Sequence, residues 1–440
     1  MRILTNGFPT NIPGSPVHSQ GGPANFARLF SDYIGGLPGG HEMVSVFYKD
    51  GPVRHKEPVA VHSTPGHTHY CLAIPRGTFR RVTQALVWGD PAELLRTPLS
   101  QIGRFIREQN PDVLFLNGYG LFNWMLLHCA KEAGIPVVIQ HAGIWTKELR
   151  LHGYRYSRAG RRIMEQMEKD SSELSSVEIF LNSWSRDYYR KRVAAGQARR
   201  TEIVPLPFDF NSFNQLSASA KRGRFSRFNK SKMHIGVIGR WDAIKNHDAV
   251  LAMAQAAKKN GLPWQFHAVV AIPDSEDKAK KRAYTDTVDV IEPLDREGIS
   301  DFCRSVDLLV MPSLFDVSPT VVLEAMALDT PIAVSPTVGF APVFAAHGAR
   351  SWVINPSDAD KAVGRISRIL GKKIPPALRE KIISMHDHAR VFDTYLQIFE
   401  EAHLRTMPVW QVVKVIFWRE VARYFAKPEA SSAYASSATL

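Results

Sequence analysis

Two groups of charged residues in the second half of the chain have types and spacing suited to an anionic ligand. Ile235-Gly-Val-Ile-Gly-Arg-Trp-Asp-Ala-Ile-Lys-Asn-His247 reads as an apolar strand running into a turn that carries Arg240 and Lys245. Two cations at a strand's carboxyl end suit a diphosphate, Arg as a planar fork and Lys as a mobile point charge. Taken alone, a pair of solvated surface charges explains the same residues. The second group lies in the stretch from Leu308 to Ile332, a buried strand, a polar loop and a helix opening near Thr320, with Asp316 and Glu324 along it. Such a junction lies at the carboxyl edge of an open α/β sheet, where ligands bind. Free amides at the helix start, over Val317, Ser318 and Thr320, favour an anion or sugar oxygens.

Asp316 and Glu324 also invite a hydrolase reading. Eight residues along an unbroken helix span ~12 Å, against separations of ~5–9.5 Å in glycosidases. Pro319 interrupts the helix, so the spacing neither supports nor excludes a pair. In the first half, Gln20-Gly-Gly-Pro-Ala-Asn25 places Gly21 and Gly22 after the first strand. Adjacent glycines allow close backbone approach to a ligand, or simply a turn. The run is not the dinucleotide fingerprint, and no acidic partner follows ~20 residues on. His141 follows the apolar run Val137–Gln140; a lone histidine is usually structural, while one at a strand's carboxyl end is more often turned to a cleft.

These residues require strands and helices in alternation. Met1–Phe8, Glu42–Tyr48, Val113–Leu116 and Val137–Gln140 read as strands, with helices over Asn25–Ile34 and Leu121–Ala133. A basic stretch, Lys221–Lys232, reads as an exposed linker. A second series follows: strands at His234–Ile238, Gln265–Ala271, Leu308–Met311 and Pro331–Val334, with helices over Asp248–Asn260 and Val321–Leu328. The β-α-β rhythm with short turns predicts two doubly wound parallel sheets facing a central cleft. Domain limits fall at about 1–212 and 232–388. Val391–Arg405 is an amphipathic helix with Phe392, Tyr395, Leu396 and Phe399 on one stripe, and Trp410–Ala426 is a further helical segment. Residues 428–440, rich in Ala and Ser, read as a disordered tail.

Composition narrows the classes. The 440 residues carry a formal charge of +13, which favours an anionic partner or a solubilising surface. The three cysteines, Cys71, Cys129 and Cys303, are far apart and form no disulfide or zinc framework, so a reducing, cytoplasmic compartment fits. No apolar run reaches the ~20 residues that span a bilayer. Arg76, Arg80 and Arg81 beside Phe79 and Trp88, and Lys414, Arg419 and Arg423 beside Trp410 and Phe417, suit either core packing or peripheral contact with an anionic membrane face. No nucleic-acid-binding module is recognisable.

In combination and order these segments resemble the retaining glycosyltransferases of the two-Rossmann-domain architecture, in particular the family numbered four. The family's Glu-x7-Glu pattern stands here as Pro312-Ser313-Leu-Phe-Asp316-Val-Ser-Pro-Thr-Val-Val-Leu-Glu324-Ala-Met-Ala327. Its Gly-Arg-x4-Lys block stands as Gly239-Arg240 to Lys245, its glycine loop as Gly21-Gly22 and its cleft histidine as His141. The departures are Asp316 in place of Glu and Ser318-Pro319 in place of Phe-Gly. The resemblance implies sugar transfer from a nucleotide-diphosphate donor to a glycan or glycolipid acceptor, with no metal or other cofactor. It further implies that Arg240 and Lys245 neutralise the diphosphate, Glu324 receives the ribose hydroxyls, Asp316 touches the donor sugar and Gly22 lets amides reach the phosphate. His141 would lie beside sugar and acceptor, and Val391–Arg405 would cross back onto the first domain. Preorganised cations stabilise the charge that builds on a departing diphosphate. Asp358-Ala-Asp360 reads as a capped helix start rather than a metal site. A non-catalytic carbohydrate- or lipid-binding protein and a nucleotide-sugar epimerase are the competing readings of the same fold.

Overall fold

The computed structural model describes residues 1–12, 22–38, 40–50, 58–74, 77–78, 92–152, 158–193, 200–219, 225 and 228–406. Gly21, half of the 221–232 linker, most of the 76–88 segment, the helix expected over 410–426 and the tail expected over 428–440 lie outside them.

The first sheet is built from β1 (Arg2–Asn6), α1 (Gly22–Gly36), β2 (Glu42–Asp50), β3 (Val59–Thr64), β4 (His67–Ile74), α2 (Ala92–Gln109), β5 (Val113–Asn117), α3 (Leu121–Glu132), β6 (Val137–His141), α4 (Trp145–Leu151), α5 (Arg158–Leu174), β7 (Val177–Phe180), α6 (Ser183–Arg192) and β8 (Thr201–Ile203). Its strand order is β3-β4-β2-β1-β5-β6-β7-β8. The pairings are parallel except for the edge hairpin β3–β4. Beyond it come α7 (Phe210–Ser219), β9 (Met233–Ile238), α8 (His247–Lys259), β10 (Trp264–Val269), α9 (Lys278–Thr285), β11 (Asp289–Ile291), α10 (Arg296–Ser305), β12 (Leu308–Met311), α11 (Thr320–Ala327), β13 (Ile332–Val334), α12 (Ala341–Ala346), α13 (Ala359–Ile369), α14 (Pro376–His386) and α15 (His388–Leu404). The second sheet, β11-β10-β9-β12-β13, is parallel throughout.

The predicted doubly wound α/β architecture is thus present. A central parallel strand is covered on both faces, so it reads as a continuous apolar run. β5 shows how the period-2 alternation divides such a run. Val113 and Phe115 join one buried cluster with Phe26, Phe392 and Tyr395, while Leu114 and Leu116 join another with Met125 and Leu126. The edge hairpin was not read from the sequence: its outer strand β3 is almost wholly exposed, and its apolar run is only the three residues Val59-Ala60-Val61, shorter than a buried strand requires.

The chain returns to the first sheet through α15. Asp387 caps it, accepting the Arg390 N–H at 3.1 Å. Its apolar stripe then packs on α1, with Phe392 5.0 Å from Phe30 and 5.5 Å from Phe26 between ring centroids. Aromatic pairs of this kind add ~0.5–1.5 kcal/mol each beyond area burial. The Tyr395 hydroxyl donates to Gln140 Oε1 at 2.7 Å. Where the chain passes between the sheets, His386 Nδ1 donates to the Leu206 carbonyl at 2.7 Å and Phe208 N–H donates to the His386 carbonyl at 2.8 Å. Burial lowers the His386 imidazole to about 4, so this junction is neutral at ordinary pH. Among the described residues no helix is long and apolar enough to cross a membrane.

Candidate functional site

The turn after β9 is rigid beneath and open above. Gly239 permits its start, since a Cβ there would lie 3.3 Å from Lys245 Cγ. Asp242 Oδ1 accepts the Lys245 N–H at 3.0 Å. Asn246 adopts the left-handed conformation, φ 58°, before α8 begins. His247 holds the turn from inside. Its Nε2 faces the Arg240 carbonyl at 3.0 Å and its Nδ1 the Tyr284 hydroxyl at 2.9 Å. A carbonyl only accepts, so Nε2 carries the proton and Nδ1 receives the Tyr284 O–H. Burial lowers the His247 pKa, which keeps the ring neutral in that role. The Arg240 side chain, by contrast, is 80% exposed, with Asp242 at 3.3 Å. It is free to swing onto a ligand.

The loop after β12 is tied to this turn and to the first domain. Leu314 N–H donates to the Ile244 carbonyl at 2.8 Å, and Asn246 Nδ2 donates to the Pro312 carbonyl at 3.0 Å. Phe315 is buried under Trp184 and Tyr188 of α6, at 5.3 and 6.0 Å. Asp316 receives the Lys245 ammonium in an ion pair that spans 71 residues of sequence. Both side chains are mostly buried, so Lys245 and Asp316 form a charged pair at the carboxyl edge of the second sheet, with Arg240 on the same turn as Lys245 and paired with Asp242. Pro319 precedes α11 in an extended conformation and no side chain caps that helix. The first amides of a helix have no partner within it, so they are available to an anion or hydroxyl. Val317 belongs there by backbone only: its side chain is buried and its carbonyl accepts the Asn182 Nδ2–H at 2.8 Å.

Glu324 lies one turn into α11. Burial pushes its carboxyl up to about 7, with Arg296 of α10 partly offsetting the rise. Arg296 is itself lowered by partial burial and by Arg28 of α1, which brings the first domain to the same region.

His141 departs from the expectation of a cleft-facing side chain. The ring is fully buried. Its Nε2 lies 3.0 Å from Glu178 Oε1, its Nδ1 meets the Tyr119 hydroxyl, and Phe180 stacks on it at 4.3 Å. Both nitrogens are engaged within the first domain. Neighbouring β7 supplies Glu178 and Phe180 and closes over the position where β6 ends. Gly22 opens α1, and a Cβ there would meet nothing within 4 Å; the protein does not itself require glycine at that position. Asp358 caps α13, accepting the Lys361 N–H at 3.1 Å.

Three contributors were not legible in sequence. Asn182 caps α6 and reaches across to Val317. Gly339 lies under the same carbonyl, where a Cβ would fall 2.0 Å from Val317 O and 2.5 Å from Asn182 Nδ2. Glu148, on α4, folds back so that Oε1 accepts the Ile144 N–H at 3.2 Å. A Gly339→Ala variant should therefore displace the Asp316 loop from the first domain. Overpacking of this kind costs roughly 1–3 kcal/mol, or more where backbone blocks relaxation. Urea unfolding should show a lowered midpoint, and an unchanged midpoint would mean that the contact yields freely.

Residues 221–385 match the model of the family described as glycosyl transferases group 1. All four of Arg240, Lys245, Asp316 and Glu324 lie inside that match. A D-inositol 3-phosphate glycosyltransferase of Mycolicibacterium smegmatis is 28% identical over 185 residues, 41% of this chain and 42% of that protein. The chain's matches span about two fifths of the length of its curated relatives, 38% and 42%. Among solved structures, the sucrose-phosphate synthase of Thermosynechococcus elongatus superposes with a TM-score of 0.67 at 16% identity, covering 91% of this chain and 98% of that one. An E. coli trehalose-6-phosphate structure bound with UDP-2-fluoro glucose gives 0.64 at 13% identity, over 91% and 99%. These likenesses establish a shared two-domain fold.

Proposed function

We propose that the protein is a glycosyltransferase that moves a sugar from a nucleotide-diphosphate donor onto a glycan or glycolipid acceptor, with retention at the anomeric carbon and without a metal. The observation that carries this reading is the ion pair of Lys245 with Asp316, with Arg240 on the same turn as Lys245 and Glu324 on the helix that follows Asp316, all inside the segment that matches the glycosyl transferase model. A departing diphosphate gains negative charge, and two cations at that point stabilise it, Arg240 swinging in from solvent and Lys245 passing over from Asp316. Glu324 accepts ribose hydroxyls, and Asp316 turns from Lys245 to the donor sugar once the diphosphate takes the ammonium. The +13 charge would draw the protein to an acceptor presented at an anionic cytoplasmic membrane face.

The test is thermal unfolding with UDP, GDP, ADP and the matching nucleotide sugars, each with and without EDTA. A ligand that binds the native state at 100 times its Kd stabilises by about 2.7 kcal/mol. One base should raise the melting temperature at millimolar concentration, with no change on chelation. No shift from any of them would sink the proposal, and a shift abolished by EDTA would sink its metal-free part.

A further inference from the structure

We propose that the groove between α1 and the β3–β4 hairpin binds a neutral glycan chain laid along α1. Naming that chain as the acceptor rests on the glycosyl-transfer reading; the groove itself does not depend on it.

The groove follows from how α1 divides its faces. Phe26, Phe30 and Ile34 are buried in the core, so Arg28, Ser31, Asp32 and Gly35 fall on another stripe, three and four residues apart. That stripe faces the hairpin. At one end Gly35 meets the hairpin turn, where an added Cβ would lie 3.1 Å from the Pro65 carbonyl. At the other is Asn11, in the short turn after β1, whose Nδ2 donates to the Ala24 carbonyl at 3.1 Å. Asn11 thus marks the carboxyl edge of the first sheet, where ligands of such sheets bind. The space between holds about 510 Å³, within the ~300–1,000 Å³ of small-molecule sites. Ala27 to Gly36 covers about 14 Å of helix, so a ligand that fills the groove is extended.

The sheet beneath is polar where a buried face is ordinarily apolar. His62, His69 and Ser45 stand in register across β3, β4 and β2. His67 and His69 are buried, and hydrogen bonds join them in one row. Ser31 Oγ lies 2.6 Å from His67 Nδ1, His67 Nε2 3.0 Å from Ser45 Oγ, and Ser45 Oγ 2.8 Å from His69 Nδ1. The row ends at the groove, since His69 Nε2 has no partner among the described residues. A hydroxyl both donates and accepts, and a neutral imidazole does one at each nitrogen. If Ser31 donates into the row, His69 Nε2 presents a proton; with every bond reversed, it presents a lone pair. A group that can offer either suits a sugar hydroxyl, which also does both. Departures of this kind from an apolar pattern cluster at functional positions.

The charge balance selects a neutral ligand. Burial pushes His67 down to about 3 and His69 to about 4, with neighbouring histidines adding to it, so both rings are uncharged at neutral pH. The Arg28 guanidinium is matched by the Asp32 carboxylate at 2.9 Å. This pair sets strong donors beside a strong acceptor, which fits adjacent hydroxyls of a sugar and gives an anion no net attraction. His62 has no hydrogen-bond partner among the described residues, and its ring, 5.7 Å from that of His69, lines the groove from the hairpin side.

The experiment measures maltopentaose, cellopentaose, chitopentaose and an α-linked mannopentaose by calorimetry and by hydrogen exchange, on the full chain without nucleotide. Inorganic phosphate and glucose 6-phosphate are the charged comparisons. At least one pentasaccharide should bind and slow exchange over residues 27–36 and 59–70. His62→Ala and Asp32→Asn should each weaken that binding about 10-fold, as when one hydrogen bond is left unmade. Both should unfold close to the wild-type urea concentration, since His62 holds no hydrogen bond and Asp32 is exposed. Binding of none of the four, binding without protection of these residues, or equal affinity in wild type and both variants overturns the proposal. So does protection by phosphate or glucose 6-phosphate in their place, which would make the groove an anion site. Binding of a pentasaccharide while UDP, GDP and ADP all fail to bind would keep the groove, withdraw the acceptor role and leave a glycan-binding protein.

Discussion

An Arg240→Ala variant should release nucleotide from its donor about 10²–10³-fold more slowly than wild type while unfolding close to the wild-type denaturant concentration. The separation of the two effects follows from exposure. The guanidinium is 80% exposed, and the Asp242 carboxylate it meets at 3.3 Å, although itself buried, keeps the Lys245 N–H as a partner when the guanidinium is removed. Loss of the exposed member of such a pair should cost no more than about 1 kcal/mol. Lys245→Ala should match it in rate but not in stability. The ammonium is the partner of Asp316, and both are largely buried, so the variant leaves a carboxylate without its counter-charge. Breaking a buried pair from one side costs roughly 3–5 kcal/mol; residual solvent access places this pair at or below the lower end. A Lys245→Met, Asp316→Asn double variant should recover most of that loss and none of the rate. Stopped assays with urea unfolding measure both quantities. Near-normal rates in both Arg240→Ala and Lys245→Ala would remove this turn from the donor site.

The second large effect separates the two carboxylates. Asp316→Asn should cut donor turnover sharply, because a sugar hydroxyl left without its acceptor costs ~1–3 kcal/mol in a site built to bind it. Bare nucleoside diphosphate should bind this variant as well as wild type or better, since Lys245 is then free for phosphate. Glu324→Gln should act on the nucleotide. If its carboxylate receives the ribose hydroxyls, wild-type affinity should strengthen as pH rises through about 7, where the group ionises. The Gln variant should show weaker binding and a flat profile. The same group sets a stability trend of opposite sign. Its folded pKa lies above the ordinary carboxyl value of about 4.5, so the native state holds the proton longer, and its contribution falls as pH rises from about 4.5 to 7. Glu324→Gln should therefore melt above wild type at pH 8 and close to it at pH 4. Calorimetry with the nucleoside diphosphate, paired with turnover, is the measurement. Wild-type turnover in Asp316→Asn would reduce that residue to a loop position.

Much of the architecture is determined by local sequence. A strand covered on both faces must be apolar along its length, so Val113–Leu116, Val137–Gln140 and Leu308–Met311 declared themselves, and short turns between such strands and helices admit only a parallel winding. Exposed β3 carried no such mark. Arg240, Lys245 and Asp316 could be picked out because each sits a few residues past a legible strand, with Glu324 on the helix that follows the second of them, and the end of a parallel strand is where a cleft opens. The sequence therefore determined which residues stand at the edge, and tertiary structure decided what each meets there. Lys245 and Asp316 are joined across 71 residues because β9 and β12 are neighbours in the sheet, an order that no local pattern encodes. His141 also ends a strand, yet Glu178 and Phe180 from the adjacent strand bury it, since lateral neighbours, not position along the strand, set exposure. Glu148 lacked any signature, and its carboxylate folds back onto the Ile144 amide because Gly143 leaves room for it.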